Sequence, residues 1–280
     1  MIDLNRPQEQ MLFTTLRIEG ALADGRSTTG TGFIFERRLG NNRIPFIVTN
    51  RHVVEGVKNG AVYFHIADGD KPKLGNGYKL DVSDFDAMWV FHPDKTVDVA
   101  AVPLGPLLKT PNDAGVKIFL RSVSTDFLAT DVQLADLSVL QRVVFIGYPN
   151  GLWDSANLLP IARTGSIATL PRISFQGRPV FLIDASVFPG SSGSPVFVFD
   201  EGTFLDPKAG LVVGQSRVIL LGLVAAVYYK TDVNEVQLAT NVTGGKQVVV
   251  DKEMIDLGMV FNHRAISETI DATFKQYKIQ

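Results

Sequence analysis

The stretch FPGSSGSPVF, residues 188–197, sets three serines and two glycines between apolar flanks. A serine hydroxyl is a weak nucleophile until a neighbouring base takes its proton. Without such company, a Gly/Ser/Pro cluster between apolar runs is a loop. The chain has four histidines: His52, His65, His92 and His263. His52 stands in FIVTNRHVVEG, directly after an apolar run. That is the end of a strand, where loops held by a rigid scaffold carry reactive groups; taken alone, it also reads as an ordinary half-buried histidine. Asp98 opens the apolar run of TVDVAAVPL. A carboxylate there is costly to desolvate without hydrogen-bond partners. It is either a solvated turn residue, as Asp94 before it is expected to be, or the acceptor that fixes an imidazole tautomer. The order His, Asp, Ser runs with gaps of 46 residues (52 to 98) and 94 residues (98 to 192). The joint signal is far more specific than any one of its parts, and that order is one of the three in which unrelated folds carry such a triad.

Such residues need a scaffold, and the apolar pattern says which kind. Short β-branched or aromatic runs bounded by turn residues predict strands over 13–18, 31–35, 45–49, 61–66, 87–91, 99–104, 143–147, 180–183, 195–199, 218–227, 247–250 and 259–261. Many short strands with Gly/Pro turns imply sandwiches or barrels. AISETIDATFKQY, residues 265–277, repeats Ile266, Ile270, Phe274 and Tyr277 at helical spacing and predicts a C-terminal helix. A short first helix is expected near residues 7–12. Segment 105–130 reads as a loop-rich connection between two strand-rich halves. Segments 41–44 and 200–216 read as hairpins or surface loops.

Composition narrows the function classes. The chain has 280 residues, 45% of them hydrophobic and 20% charged, with a formal net charge of −2. That balance argues against a nucleic-acid binder, which carries a basic excess. With no cysteine there is no disulfide framework and no thiolate metal site. MIDLNRPQEQMLFTTL at the start has acids and a proline where a signal peptide needs a basic segment and an apolar run. The longest apolar run, VILLGLVAAVYY at 218–229, falls short of the roughly 18 residues of a membrane span. The expectation is a cytoplasmic protein with no membrane partner.

Several stretches together resemble the trypsin-like, chymotrypsin-fold serine proteases. The resemblance is closest to the disulfide-free bacterial kind, the glutamyl endopeptidases and high-temperature-requirement proteases. GTGFIF (30–35) with FIVTNRHVV (46–54) is similar to their glycine-rich and histidine strands, and DVAAVPL (98–104) to their aspartate strand. GYPNGLW (147–153) with RTGSIA (163–168) resembles the opening of the second lobe. FLIDASVFPGSSGSPVF (181–197) resembles the nucleophile loop, and LLGLVAAV (220–227) the strand after it. The implied fold is all-β: two six-stranded antiparallel β-barrels of chymotrypsin type with a C-terminal α-helix. The whole chain, 1–280, would be one peptidase domain, with barrels over about 10–110 and 130–262 and the helix over about 265–277.

The resemblance also assigns roles. Gly190-Ser191-Ser192-Gly193-Ser194-Pro195 falls on the family's Gly-x-Ser-Gly-Gly/Ser-Pro pattern, which makes Ser192 the nucleophile. His52 becomes the base and Asp98 its orienter, and the N–H groups of Gly190 and Ser192 become the oxyanion hole. Ser191 and Ser194 become structural. The implied reaction is peptide-bond hydrolysis through an acyl-enzyme, with a polypeptide substrate and no metal or cofactor. Ser186 would be the pocket base, and Ala225, Ala226 and Val227 the substrate-binding strand. Ser186 is not acidic, so a Lys/Arg preference is not expected. Val227 falls where many relatives have glycine, which implies a short pocket for small or medium apolar side chains. Glutamyl endopeptidases carry a histidine about where Ala225 stands. Ser191 takes the place of the aspartate that pairs with a new N-terminus in secreted zymogens, so activation by that route is not implied; control by a regulatory protein partner is an expectation. The alternatives are a pseudoprotease or partner-activated scaffold of the same fold, an esterase, and an unrelated β-rich interaction protein. The esterase elbow G-x-S-x-G does not fit, because the fifth position is Ser194 and a strand is expected to follow.

Overall fold

The computed structural model describes residues 4–22, 25–206, 210–236 and 247–279. After a short helix α1 (Pro7–Met11), the N-terminal lobe is built from β1 (Thr15–Leu22), β2 (Ser27–Leu39), β3 (Asn42–Thr49), β4 (Val57–Asp68), β5 (Lys71–Ser83), β6 (Val90–Phe91), β7 (Ala100–Pro103), β8 (Ile118–Phe119) and β9 (Val123–Ser124). Its main path runs β5-β4-β1-β2-β3-β7-β6, with β8 on β4 and β9 on β2. The second lobe is a closed six-stranded barrel of β10 (Arg142–Gly147), β11 (Ile161–Ile167), β12 (Val180–Asp184), β13 (Pro195–Asp200), β16 (Arg217–Val236) and β17 (Gln247–Asn262). The hairpin β14 (Thr203–Asp206) and β15 (Gly210–Val213) hangs from it. Four more helices complete the chain: α2 (Arg51–Val54), α3 (Leu104–Asp113), α4 (Asp131–Asp136) and α5 (His263–Tyr277). This is the two-lobed, mostly antiparallel architecture expected, with a barrel-like nine-stranded sheet as the first lobe.

The period-2 alternation of strands explains where the lobes meet. In β2, Ile34 points into the interior of the first lobe with Ile18, Ile47 and Val62. Its neighbours Phe33 and Phe35 point the other way. They join Phe46 and Val48 of β3, Phe197, Leu223 and Phe261 of the barrel, and Ile266 and Ile270 of α5. The barrel encloses its own cluster, with Phe145, Phe181, Ile183 and Val260. A third apolar core therefore lies between the lobes and fixes them against each other.

Helix α5 seals that contact. Asn262 Oδ1 accepts from the N–H groups of Arg264 (3.1 Å) and Ala265 (3.4 Å), an N-cap that starts the helix where β17 stops. The helix leaves the second lobe but packs on the first: the Phe274 ring lies 5.3 Å from Phe46, and His92 Nε2 meets Glu268 at 2.8 Å.

Three elements differ from the pattern read in the sequence. β5, KPKLGNGYKLDVS, is a polar edge strand whose mostly exposed side chains carry no apolar alternation. α3 falls in the segment expected to be loop, with Pro111 inside it. The runs 247–250 and 259–261 belong to one strand, β17, paired with β16 from Gly222↔Asn262 to Val236↔Gln247. Among the described residues, no helix is long and apolar enough to cross a membrane.

His65 on β4 is 6% exposed and packs edge-on against Phe13 at 4.8 Å. Burial lowers its pKa to about 4, opposed only by a backbone hydrogen bond with Leu158. Its folded pKa is below the ordinary value near 6.5, so the neutral ring is the one that folding favours. Stability is then undiminished above pH 6.5 and falls as pH drops toward 4, by up to roughly 3 kcal/mol from this group. Urea unfolding across pH 7 to 4 should show that slope, and His65→Phe should flatten it.

Candidate active site

β3 ends at Thr49, and the chain turns into the single-turn helix α2 that carries His52. Asp98 lies just before β7, the neighbour of β3, with pairing up to Thr49↔Ala100. This register brings the histidine and aspartate together although 46 residues separate them. His52 Nδ1 lies 2.5 Å from Asp98 Oδ2, and the His52 backbone N–H donates to Oδ1 at 2.9 Å. A carboxylate only accepts, so Nδ1 is the donor in this pair. Asn50 Nδ2 donates to the Asp98 backbone carbonyl at 2.7 Å and ties the two segments together. The His52 side chain is half exposed.

The nucleophile-like loop joins β12 to β13 between the lobes. Its three serines differ in access. Ser191 and Ser194 are buried, at 1% and 0% exposure, and among the described residues neither hydroxyl has a hydrogen-bond partner. Ser192 alone is partly open. Its Oγ donates to the Ala225 carbonyl at 3.3 Å.

Thr31 of β2 is the anchor of this loop. Its N–H donates to the Ser192 carbonyl at 2.9 Å, and its Oγ1 donates to the Gly190 carbonyl at 2.9 Å. The same Oγ1 accepts from the Tyr148 N–H at 3.1 Å, and the Thr31 carbonyl accepts from Thr49 Oγ1 at 2.7 Å. Two positions on the loop require glycine. Gly190 has φ 85° and Gly193 φ 90°. A Cβ on Gly190 would sit 2.5 Å from the Tyr148 carbonyl, and one on Gly193 would meet the Thr31 carbonyl and, at 2.7 Å, Thr49 Oγ1. Among the described residues, the N–H groups of Gly190 and Ser192 have no hydrogen-bond partner. They are donors without an acceptor, beside a hydroxyl.

The expected binding residues are distributed as follows. The Ser186 carbonyl accepts from the Arg163 guanidinium, which also stacks 4.9 Å over the Phe188 ring. Ala225 is buried on β16. Backbone pairing sets Ala226 against Met259 and Val227 against Gly258; the side chains of Ala226 and Val227 lie outside the described ones. A Cβ on Gly258 would come within 2.6 Å of Val187, so this wall is closely packed. Sequence reasoning gave no role to Thr31, Asn150 or Arg163. Thr31 and Asn150 lie inside GTGFIF and GYPNGLW, but the Thr31 hydrogen bonds cross between the lobes and the Asn150 N–H reaches a loop distant in sequence, so neither leaves a local pattern.

Residues 30–205 match the trypsin-like peptidase domain family, a span that holds His52, Asp98 and the whole 188–197 loop. None of the curated protein sequences matches the chain. Among solved structures, a thermostable serine protease AL20 from an extremophilic microorganism is 14% identical, with a TM-score of 0.46 over 96% of this chain and 99% of that one. HL collagenase is also 14% identical, with a TM-score of 0.46 over 97% and 96%. A catalytically inactive tobacco etch virus protease in complex with substrate is 12% identical, with a TM-score of 0.42 over 79% and 76%.

Thr31→Val keeps the shape of the anchor and removes its hydroxyl. It leaves the Tyr148 N–H and the Gly190 carbonyl buried and unpaired. The expected cost is about 1–3 kcal/mol, read as a lower midpoint in thermal or urea unfolding.

Proposed function

We propose that this chain, which belongs to the trypsin-like peptidase domain family, is a serine endopeptidase working through His52, Asp98 and Ser192. The observation that carries the reading is the 2.5 Å contact of His52 Nδ1 with Asp98, across from a loop whose one accessible serine is Ser192.

In this mechanism Ser192 Oγ leaves the Ala225 carbonyl and gives its proton to His52 Nε2 as it attacks the scissile carbonyl carbon. The carbonyl π electrons move to oxygen, and the Gly190 and Ser192 N–H groups receive the oxyanion. Each such donor contributes about 2.7–4 kcal/mol to the transition state. The tetrahedral intermediate collapses: the C–N bond breaks and His52 returns its proton to the leaving amine. Water, deprotonated by His52, then attacks the acyl-enzyme, and the acid product leaves with Ser192 restored. Asp98 holds the tautomer and stabilises the imidazolium throughout without taking the proton. The chemistry draws on no metal or cofactor. A polypeptide is the proposed substrate, and the pocket formed by Ser186 and the 225–227 strand is proposed to take small or medium apolar side chains.

A fluorophosphonate probe tests the reading directly. Wild type should label, while Ser192→Ala and His52→Ala should not; labelling of Ser192→Ala, or a wild type that never labels, removes the catalytic assignment. Asp98→Asn should lower kcat by about 10⁴-fold, because the imidazole would be held in the wrong tautomer. A peptide library should show cleavage after Ala, Val or similar residues at least tenfold faster than after Lys or Arg, a margin within reach of pocket contacts. Equal rates would show that Ser186 and Val227 do not set the pocket.

A further inference from the structure

For the Gly190 N–H to serve an oxyanion hole it must be held in position, and the neighbouring Ser191 brings no charge to do so. The structure supplies a chain of contacts leading there from the far lobe. Asn150, with φ 50° and ψ 27°, and Gly151, with φ 69°, form a tight turn after β10. The Asn150 N–H donates to the Pro189 carbonyl at 2.5 Å. A trans peptide is planar, with its C=O and N–H antiparallel. Fixing the Pro189 oxygen on Asn150 therefore turns the N–H of Gly190, in the same peptide, the opposite way. The turn is a mould for that peptide: a Cβ on Gly190 would lie 3.2 Å from the Asn150 and Gly151 nitrogens.

The turn is held by β1 of the first lobe. The Arg17 guanidinium donates to the Gly151 carbonyl and lies 4.9 Å from the Trp153 ring centroid. Arg17 is itself fixed. Its Nε and NH2 reach Glu19 Oε1 at 2.7 and 2.6 Å, and Tyr63 OH donates to Glu19 Oε2 at 2.7 Å. Burial pushes the Glu19 carboxyl up, but the hydrogen bonds from Tyr63 and Arg17 more than offset it, so it stays ionised beside the guanidinium. Burial and the bond to Glu19 push the Tyr63 phenol to about 12, so it remains a donor. Trp153 closes the group, edge-on to Tyr63 at 5.6 Å and to Tyr148 at 6.2 Å. Further along the loop, Leu158 covers Gly77 of β5. The second-lobe loop thus rests on β1, β4 and β5 of the first.

We infer that Arg17, clamped between Glu19 and Trp153, is a positioning residue for the oxyanion hole: it holds the Asn150–Gly151 turn that orients the Pro189–Gly190 peptide. This rests on the proposed protease reading for its catalytic consequence. It makes the hole a product of lobe–lobe contact rather than of a cleaved N-terminus. It also makes the Arg17–Gly151 contact the place where a change in lobe docking would be felt at the catalytic loop.

The test compares wild type with Arg17→Met and Arg17→Lys. With peptide substrate, Arg17→Met should lower kcat about 10²-fold while KM stays within threefold, because the lost stabilisation belongs to the transition state. A peptide aldehyde, whose adduct oxygen sits in the hole, should lose affinity in step with kcat, while the amine-side product peptide, which places no oxygen in the hole, should bind unchanged. Arg17→Lys, which keeps a donor and the charge, should recover part of kcat. A kcat within threefold of wild type, or aldehyde affinity unchanged, overturns the inference. Should Arg17→Met fail to fold, Arg17→Lys and Trp153→Leu carry the same comparison. A second readout does not depend on turnover: in protein labelled with 15N-glycine, the Gly190 amide resonance should shift in Arg17→Met, and a solved structure should show the Pro189 carbonyl released from Asn150. A wild type that neither labels nor cleaves refutes the catalytic reading; an unmoved Pro189–Gly190 peptide refutes the clamp.

Discussion

The hydrogen bonds of Thr31 are the constraint from which the rest of the site follows. One residue on β2 donates to the carbonyls of Ser192 and Gly190, accepts from Tyr148 and, through its own carbonyl, from Thr49. Those four partners come from the nucleophile-like loop, the end of β10 and the end of β3. Buried hydrogen bonds of this kind are costly to leave unmade. They tie the strand leading to His52 and the loop carrying Ser192 to one point. Glycine at 193 is then required by space as much as by φ, because the Thr31 carbonyl and the Thr49 hydroxyl occupy the volume a side chain would need.

The apolar core between the lobes keeps that junction in place. Phe33 and Phe35 flank Ile34 and Thr31 shares their strand, so the packing that sets the lobe angle also sets the anchor. Helix α5 adds to it by crossing from the second lobe onto Phe46 of the first. The site is therefore built at a seam, from β2, β3 and β7 on one side and β10, β13 and β16 on the other. Apolar burial provides most of the docking energy. The polar contacts of Thr31 and Arg17 add direction rather than strength.

Much of this was legible in the sequence, and the legible part has a common character. His52, Asp98 and the 188–197 loop lie at ends of strongly apolar strands, and their local contrast of polar and apolar residues marks them. The two lobes and the C-terminal helix follow from the same alternation. What could not be read is non-local or polar. β5 carries its side chains mostly in solvent, so nothing in its pattern sets it apart from a loop. α3 hides behind Gly105, Pro106 and Pro111. Choosing among Ser191, Ser192 and Ser194 needed family resemblance, since all three share one composition. In the structure, burial separates them: Ser191 and Ser194 are buried and Ser192 is partly exposed.

The buried Ser191 hydroxyl gives a last step. Among the described residues it has no hydrogen-bond partner, and the two peptides before it are oriented from elsewhere, Pro189–Gly190 by Asn150 and Gly190–Ser191 by Thr31. An aspartate at that position would need a buried cation, since an unpaired carboxylate in such a place is far too costly. A serine needs none and is small enough to lie against the loop without one. The Arg17 guanidinium stands outside the loop, paired with a carboxylate of its own strand and touching the neighbouring 148–153 turn through the Gly151 carbonyl and the Trp153 ring. The work that a charge pair inside the loop would do is thus divided between a neutral filler and an external clamp. In the proposed clamp, a loop held from outside in this way would depend on the lobes staying docked, so the interlobe contacts would be where a change is felt at the loop.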